Sequence, residues 1–294
     1  MASVADKIPS VDSLVPKTPS DCFKFLFLLF SVVVTFAFEV TTVIPYVHPG
    51  DNRTNSIIQG IHFVNGLYLL HVVLGNLFYL VRTDTSIRNV VLSSTHRPDW
   101  RFCSVCEANC PPRSFHCSSC DVCVLRRDHH CEFAGKCVGY RNYRYFIGLL
   151  IGLLIGSGYS LCLNQFFIWT HLGGFTLLNL VRHTFPLVFM LLGRMEFTLG
   201  IHCFICVIDL CGFLFVIGLL LFHSSLMLKN QTNFEKTRGI NKYDLRSWRD
   251  NVVQVMGESY VKVLLTPFAS SFLPGDGINF PSYQEYRLEN EKHK

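Results

Sequence analysis

The sequence has few charged residues for its length. Only 16% of its 294 residues are charged, whereas ordinary globular domains carry about 25%. This low fraction and a net charge of only +5 exclude a disordered chain and a nucleic-acid-binding module. Apolar residues make up half of the chain, and Phe alone occurs 26 times. The composition therefore predicts a membrane protein with several spanning helices.

Four long apolar stretches predict membrane spans, because a spanning helix needs roughly 20 mainly apolar residues. The predicted spans are residues 25–44, 57–81, 145–170 and 199–222. A further apolar stretch, 175–192, is interrupted by Arg182, His183 and Pro186. We expect this stretch to lie on the membrane or dip into it on the lumenal side. The polar residues within the spans, such as Glu39 and Asp209, are either hydrogen-bond partners between helices or functional groups.

The distribution of Lys and Arg predicts the orientation, because these residues collect in cytosolic segments. Residues 82–144 contain ten of them and the tail after Phe222 another ten, whereas residues 45–56 contain only Arg53. Both termini are therefore expected in the cytosol. The predicted organisation is a cytosolic tail (1–24), spans one and two (25–81), a cytosolic domain (82–144), spans three and four with an apolar lumenal connection (145–222), and a cytosolic C-terminal region (223–294).

The predicted cytosolic domain contains a dense cluster of cysteine and histidine. Its candidate ligands are Cys103, Cys106, Cys110, His116, Cys117, Cys120, Cys123, His129, His130, Cys131 and Cys137. Cytosolic thiols stay reduced, so tetrahedral zinc sites explain the cluster better than disulfides. Two such sites need eight of the eleven residues, and spacing alone does not say which three are left over. Because closed zinc sites have no room for substrate, we expect any chemistry to belong to the remaining residues.

The run from Arg126 to Cys131 is the first place to look for that chemistry. It sets the Asp128 carboxylate, the His129 and His130 imidazoles and the Cys131 thiol side by side. Neighbouring basic residues favour a thiolate, the nucleophilic form of cysteine.

The stretch Asp128-His129-His130-Cys131 resembles the DHHC cysteine-rich domain of protein S-acyltransferases, the palmitoyltransferases. Further matches are the Pro-x-Arg-x2-His-Cys element beginning at Pro111 and the Cys-Val-Gly-Tyr-x-Asn-Tyr element beginning at Cys137. Within this family, residues 82–92, 128–146 and 274–278 are most similar to the subfamily numbered twenty-four in mammals. The resemblance implies an α-helical polytopic membrane protein with four transmembrane helices and a cytosolic zinc-binding domain between spans two and three.

The resemblance also implies a role for each residue. The nucleophile would be Cys131, its base His129, and the group that orients the base Asp128. Two structural Zn²⁺ ions would be bound, one by Cys103, Cys106, His116 and Cys123, the other by Cys117, Cys120, His130 and Cys137. Cys110 remains without an assigned role. Supporting residues would be Thr232 and Glu235, which resemble the family's Thr-Thr-x-Glu element, and Asn251, which resembles its C-terminal Asn motif.

The implied reaction is transfer of a palmitoyl group from palmitoyl-CoA, through an acyl-Cys131 intermediate, to cysteines of substrate proteins close to the membrane. A cavity among the four spans would hold the acyl chain, membrane lipid is a further expected partner, and no nucleic acid is expected as one. The expected location is the Golgi or the endoplasmic reticulum. Basic residues near the motif are candidate contacts for the phosphates of coenzyme A: Arg126, Arg127, Lys136 and Arg141. An equal alternative is that they only contact lipid headgroups.

Several positions depart from the family pattern. Glu132-Phe133 replaces the usual Pro-Trp after the nucleophile, and Gly135 replaces Asn. Glu132 places an anion beside Cys131, which disfavours the thiolate. The main alternative is therefore a zinc-stabilised membrane adaptor with weak or lost activity. A RING-type ubiquitin ligase would need longer gaps between ligands, and a transporter would not explain the cysteine cluster.

Overall fold

Four long helices account for the apolar stretches of the sequence. The computed structural model describes residues 16–50, 52–95 and 97–292, without the side chains of residues 89, 289 and 290. In chain order the helices are α1 (Pro19–Phe38), α2 (Ile44–Val47), α3 (Arg53–Arg82), α4 (Tyr143–Leu172), α5 (Leu177–Thr184), α6 (Pro186–Leu191), α7 (Phe197–Met227), α8 (Asn233–Thr237), α9 (Trp248–Met256), α10 (Tyr260–Leu265) and α11 (Tyr283–Lys292). A π-helical turn, Glu39–Val43, joins α1 to α2.

The prediction of four spans is confirmed among the described residues. The helices that are long and apolar enough to cross a membrane are Pro19–Val47, α3, α4 and α7. At 1.5 Å per residue, the 30 residues of α3 or α4 extend about 45 Å, more than the hydrocarbon core of about 30 Å. Each helix therefore continues beyond the apolar stretch that revealed it. The first helix begins at Pro19, within the predicted tail 1–24, and the part of that tail before residue 16 lies outside the described residues.

The interrupted apolar stretch 175–192 forms two short helices, α5 of 8 residues and α6 of 6 residues. They are separated by Phe185, because Pro186 takes the first position of α6 and ends the preceding helix. Helices of about 12 and 9 Å are too short to cross a membrane. The location of this stretch on the lumenal side of the membrane remains a prediction.

The cysteine-rich domain consists of three small antiparallel hairpins. The strand pairs are β1 (Arg101–Cys103) with β2 (Ala108–Cys110), β3 (Phe115–Cys117) with β4 (Val122–Val124), and β5 (His129–Cys131) with β6 (Lys136–Val138). Three-residue strands cannot bury a core of their own. We therefore expect the domain to depend on its metal ligands.

The three hairpins repeat every 14 residues. Phe102, His116 and His130 pair across their hairpins with Asn109, Cys123 and Cys137, in the same register each time. The turn position has a positive φ in all three, at Glu107, Asp121 and Gly135. The repeat aligns Cys131 with the metal-ligand candidates Cys103 and Cys117, while Ala134 occupies the position of Cys106 and Cys120.

The chain divides into two compact units. The first comprises Met1–Leu26, Leu74–Leu149 and Leu221–Lys294, and the second comprises Phe27–Val73 and Leu150–Leu220. The first unit contains the three hairpins and an apolar core around Ile87, Leu125 and Tyr140.

The second unit has its own core, around Phe38, Phe167 and Cys206. Within that unit, the buried carboxylate of Glu39 accepts hydrogen bonds from Ser160 (2.6 Å) and Asn164 (2.8 Å). Glu39 therefore has the hydrogen-bond role between helices that is one of its two predicted interpretations.

Candidate active site and metal centres

Two groups of four ligand atoms come together in the hairpin domain. The first group is Cys103, Cys106, His116 and Cys123, and the second is Cys117, Cys120, His130 and Cys137. Each group takes two cysteines from one hairpin and a His and a Cys from the next. In each group all four ligand atoms lie within 4.8 Å of one another. These are the sets implied by the resemblance.

The distances fit tetrahedral zinc. Nitrogen and sulfur atoms bound at 2.0–2.3 Å in a tetrahedron lie about 3.6–3.8 Å apart. In the first group His116 Nδ1 lies 3.4, 3.8 and 4.0 Å from the sulfurs of Cys106, Cys103 and Cys123. In the second group His130 Nδ1 lies 3.3, 3.7 and 3.8 Å from the sulfurs. The donor sets and their geometry therefore suit this metal.

Charge and surroundings also suit a metal at the second group. Hydrogen bonding by Cys137 and His130 outweighs burial and lowers the pKa of Cys120 to about 4, so this sulfur is held as the thiolate that binds zinc. The Nε2 atom of His130 faces the Asp21 carboxylate at 3.2 Å. Such a carboxylate fixes the tautomer and ring orientation of a ligating histidine. Asp21 was not identified from the sequence.

Cys110 and Cys131 lie outside both groups. The thiol of Cys110 is 2% exposed and belongs to the apolar core of the domain. Burial raises the pKa of Cys110, so it is a protonated, structural thiol. Cys131 is half-buried and, like every other described cysteine, is not in a disulfide. Of the two cysteines outside the ligand groups, it is the more accessible one.

Strand β5 separates the two histidines of the motif. Successive side chains of a strand point to opposite faces, so His130 points to the second metal group while His129 and Cys131 share the other face. His129 Nδ1 lies 2.8 Å from the Asp128 carboxylate, and the Cys131 thiol is near enough to influence the pKa of the ring. The structure thus brings Asp128 into contact with His129 and places Cys131 on the same strand face as His129.

The electrostatics of this trio favour a protonated ring. Burial alone would lower the pKa of His129, but hydrogen bonds with Asp128 and Cys131 raise it to about 9. Burial would raise the pKa of Asp128, but its contacts with His129, His223 and Arg126 lower it. Asp128 is therefore a carboxylate. His129 is a strong base that holds a proton well at neutral pH.

Helix α7 contributes a residue that the sequence did not reveal. His223 is 4% exposed, and its Nδ1 atom lies 3.6 Å from Asp128 Oδ2, a charge contact longer than a hydrogen bond. The Tyr143 hydroxyl lies 3.3 Å from the same nitrogen. Phe146 packs against both His129 and His223, with ring centroids 4.9 and 4.8 Å away. In the sequence, the only sign of a role for His223 is its position at the end of the apolar stretch 199–222.

A buried network connects Asp128 to the residues after α7. The backbone N–H of Asn233 donates to Asp128 Oδ1 at 3.0 Å. Thr232 and Glu235 form a capping box at the start of α8, which fixes this N–H. Glu235 in turn accepts two hydrogen bonds, of 2.7 and 2.8 Å, from the buried guanidinium of Arg113. Two of the three predicted supporting residues, Thr232 and Glu235, therefore belong to the network that contacts Asp128.

The third supporting residue, Asn251, lies elsewhere. Its amide donates to the Leu228 carbonyl and to Asp244, both at 2.8 Å, and its oxygen accepts from the Leu245 N–H at 2.9 Å. Asn251 therefore fixes the chain that follows α7. Asn251 lies in α9, where Val252, Val255 and Met256 are also buried.

The four basic candidates for phosphate contact have different environments. Arg126 is only 1% exposed, and its guanidinium donates to the Asn230 side chain at 3.0 Å. The structure therefore does not place Arg126 where a phosphate could reach it. The other three candidates, Arg127, Lys136 and Arg141, are partly exposed.

Comparisons with known proteins agree with this geometry. The sequence model of the family described as DHHC palmitoyltransferase matches residues 96–240. A Danio rerio protein described as probable palmitoyltransferase ZDHHC24 is 36% identical over 259 residues, which cover 86% of either chain. Proteins of the same description from Mus musculus and Homo sapiens are each 35% identical, over 79% of this chain and 82% of their own length. The predicted resemblance to the subfamily numbered twenty-four is confirmed.

Proposed function

The chain belongs to the DHHC palmitoyltransferase family and is a protein S-palmitoyltransferase, and from this premise we propose that Cys131 carries the acyl group. The donor is palmitoyl-CoA, and the acceptors are cysteine thiols of substrate proteins close to the membrane. The observation that supports this assignment best is the shared strand face of His129 and Cys131, with Asp128 on the far side of the ring.

Zinc has a structural role in this proposal. Two Zn²⁺ ions bind the two closed ligand groups, four ligands each, and supply the folding energy that three short hairpins lack. Neither ligand group includes Cys131. The nucleophile therefore stays free for chemistry while the metals hold the strand that carries it.

The first step forms the acyl-enzyme. The proton of Cys131 moves to the Nε2 atom of His129, because Nδ1 is engaged with Asp128, and this transfer gives the protonated ring that the raised pKa of His129 favours. The thiolate attacks the thioester carbonyl carbon, and the bond between that carbon and the sulfur of coenzyme A breaks. The leaving thiolate takes the proton from His129. Asp128 keeps the ring in the useful tautomer and stabilises its charged form, as the acid of a catalytic triad does.

The second step transfers the chain. A cysteine thiol of the substrate protein gives its proton to His129 and attacks the acyl-Cys131 carbonyl. The Cys131 sulfur leaves as the thiolate and regains the proton. One thioester is exchanged for another in each step, so no energy input is needed.

Binding of the donor divides between membrane and cytosol. Each CH2 group kept out of water contributes about 0.8 kcal/mol, so the acyl chain enters the apolar region of the spans. Coenzyme A stays on the cytosolic side, where the partly exposed Arg127, Lys136 and Arg141 are its candidate phosphate partners. Both termini face the cytosol, and the protein lies in the Golgi or the endoplasmic reticulum.

The adaptor alternative rests on Glu132, and the structure supplies a counter-charge for it. Lys24 forms an ion pair with Glu132, so the carboxylate beside Cys131 is not isolated. This contact favours the transferase over the inactive adaptor.

The test is labelling of the purified full chain with palmitoyl-CoA. The wild type should form an adduct that hydroxylamine removes, and Cys131→Ser should not. His129→Ala should slow labelling strongly and keep its zinc. If no adduct forms in wild-type protein that is fully loaded with zinc, the adaptor becomes the better assignment.

A further inference from the structure

The residues just before α1 and the first turns of α1 lie against the hairpin that carries Cys131. We call residues 16–24 the N-terminal brace. Four contacts connect the brace to the second and third hairpins. They join Lys17 to the Cys120 carbonyl (3.1 Å), Asp21 to His130 (3.2 Å), Lys24 to Glu132, and Pro16 to Gly135.

The Lys24 contact compensates a charge next to the nucleophile. Glu132 directly follows Cys131, and a carboxylate there opposes the negative charge that the sulfur acquires. The side chains of Lys24 and Glu132 are 33% and 55% exposed. The pair is therefore only partly screened by solvent. The ammonium group of Lys24 both neutralises the Glu132 carboxylate and holds it in one position.

The Pro16 contact explains the glycine in the third hairpin. Glu107 and Asp121 occupy the same turn position in the other hairpins, with φ of 50° and 52°, so this turn tolerates a side chain. At Gly135 a Cβ atom would lie 2.5 Å from Pro16 Cβ and 2.9 Å from Pro16 Cα. The neighbour, rather than the backbone angle alone, therefore requires glycine here. Two of the three residues that depart from the family pattern, Glu132 and Gly135, are sites of contact with the brace.

The Asp21 contact reaches a metal ligand. Asp21 is 5% exposed, in the first turn of α1, where its N–H bonds the Thr18 hydroxyl. In the first metal group the corresponding nitrogen, His116 Nε2, lies 3.9 Å from Asp121 of the same hairpin, whose side chain is 72% exposed. The second group takes its carboxylate from the start of the first membrane helix instead. Because that carboxylate is buried, it orients its histidine more firmly.

We propose that the N-terminal brace positions the third hairpin for catalysis, with Lys24 and Asp21 as its positioning residues. Lys24 acts through Glu132 on the environment of Cys131, and Asp21 acts through His130 on the second metal group. This inference rests on the proposed role of Cys131 as nucleophile. It means that the start of α1 is part of the acyl-transfer machinery rather than only a membrane anchor.

A double-mutant cycle tests the Lys24 part. In the full chain in detergent, Lys24→Met should slow acylation of Cys131 at saturating palmitoyl-CoA by roughly two- to fivefold, the range of a partly exposed ion pair. In a Glu132→Gln background the same change should have no effect. The charge reversal Lys24→Glu should be slower still, and adding Glu132→Lys should restore the rate. Lys262→Met, which removes an exposed lysine of α10, is the control for loss of charge.

The dependence on Glu132 separates positioning from structural damage. If Lys24→Met only destabilised α1, it would slow acylation equally in both backgrounds, and that result would overturn the role of Lys24. Equal rates for Lys24→Met and wild type would overturn it as well.

Release of zinc to a coloured chelator tests the Asp21 part without relying on activity. Asp21→Asn should release one of the ions at least roughly tenfold faster than wild type, the scale of a lost outer carboxylate, and Asp21→Glu should recover part of the loss. Unchanged release from Asp21→Asn would refute its role. A wild type that never acylates would instead refute the proposed function, so the two failures are distinguishable.

Discussion

The orientation of His129 by Asp128 can be tested with the single change Asp128→Asn. Asparagine has nearly the same shape and still accepts the hydrogen bond from the Asn233 N–H (3.0 Å). Its NH2 group would then face His129 Nδ1, which the carboxylate now contacts at 2.8 Å. The ring would have to accept at Nδ1 and carry its proton on Nε2. In that tautomer it cannot take the proton of Cys131.

The magnitude follows from the loss of the base. General base catalysis contributes about 10²–10⁴-fold, and Asp128→Asn should slow formation of the acyl-enzyme by that factor. The pKa of His129 should also fall from about 9 towards its ordinary 6.5. At 1.36 kcal/mol for each pKa unit, the net shift of His129 is on the order of 3 kcal/mol, and Asp128 and Cys131 both contribute to it.

The sign of the pH dependence follows from the raised pKa of His129. A raised pKa contributes stability that is complete below about pH 6.5 and is lost as the pH rises through about 9. The wild type should therefore exceed Asp128→Asn in thermal stability most at low pH, and the gap should close towards pH 9.

The assay is single-turnover acylation of the full chain, with zinc content measured on the same sample. Asp121→Asn is the matched control, because this aspartate is 72% exposed and lies beside His116 instead. An acylation rate for Asp128→Asn equal to that of the control, at equal zinc content, would refute the orienting role of Asp128.

Three further predictions concern metal, stability and topology. Purified protein should contain two zinc ions; Cys106→Ser should lose one, whereas Cys131→Ser should keep both, which metal analysis will show. Glu235→Gln should destabilise the domain by about 3–5 kcal/mol, because it leaves the buried Arg113 guanidinium without its counter-charge, and a lower melting temperature than that of an exposed Glu258→Gln control would show this. A tag at either terminus should be open to protease outside intact vesicles, and a protected C-terminus would contradict the four-span orientation.

The sequence predicts the membrane helices well because apolar length is a local property. It underestimates their ends: α4 begins at Tyr143 and α7 continues to Met227, beyond the predicted 145–170 and 199–222. Backbone hydrogen bonds continue a helix past its apolar stretch, where polar residues meet headgroups and water. Hydropathy does not record this continuation.

Contacts between distant parts of the chain could not be predicted. Asp21 meets His130 across 109 positions, and Asn233 meets Asp128 across 105. Arg126 is a further example. Its position in a basic loop beside the membrane predicted an exposed residue that contacts phosphate. In the structure Arg126 is buried and donates to Asn230, which lies 104 positions away. Neither spacing nor charge reveals such pairs.

A repeat within the sequence supports the proposal that Cys131 is the nucleophile. With a period of 14 residues, Cys103, Cys117 and Cys131 are equivalent, and Cys106 and Cys120 are equivalent to Ala134. Each metal group draws a Cys pair from one hairpin and a His and Cys from the next, so three hairpins in a row make two complete sites. In the third hairpin the positions equivalent to these Cys pairs are Cys131 and Ala134. No fourth hairpin follows to supply the His and Cys of a third site, and Ala134 has no thiol. This repeat supports the proposal that Cys131, although equivalent in position to two candidate zinc ligands, belongs to neither ligand group and has a sulfur free to react.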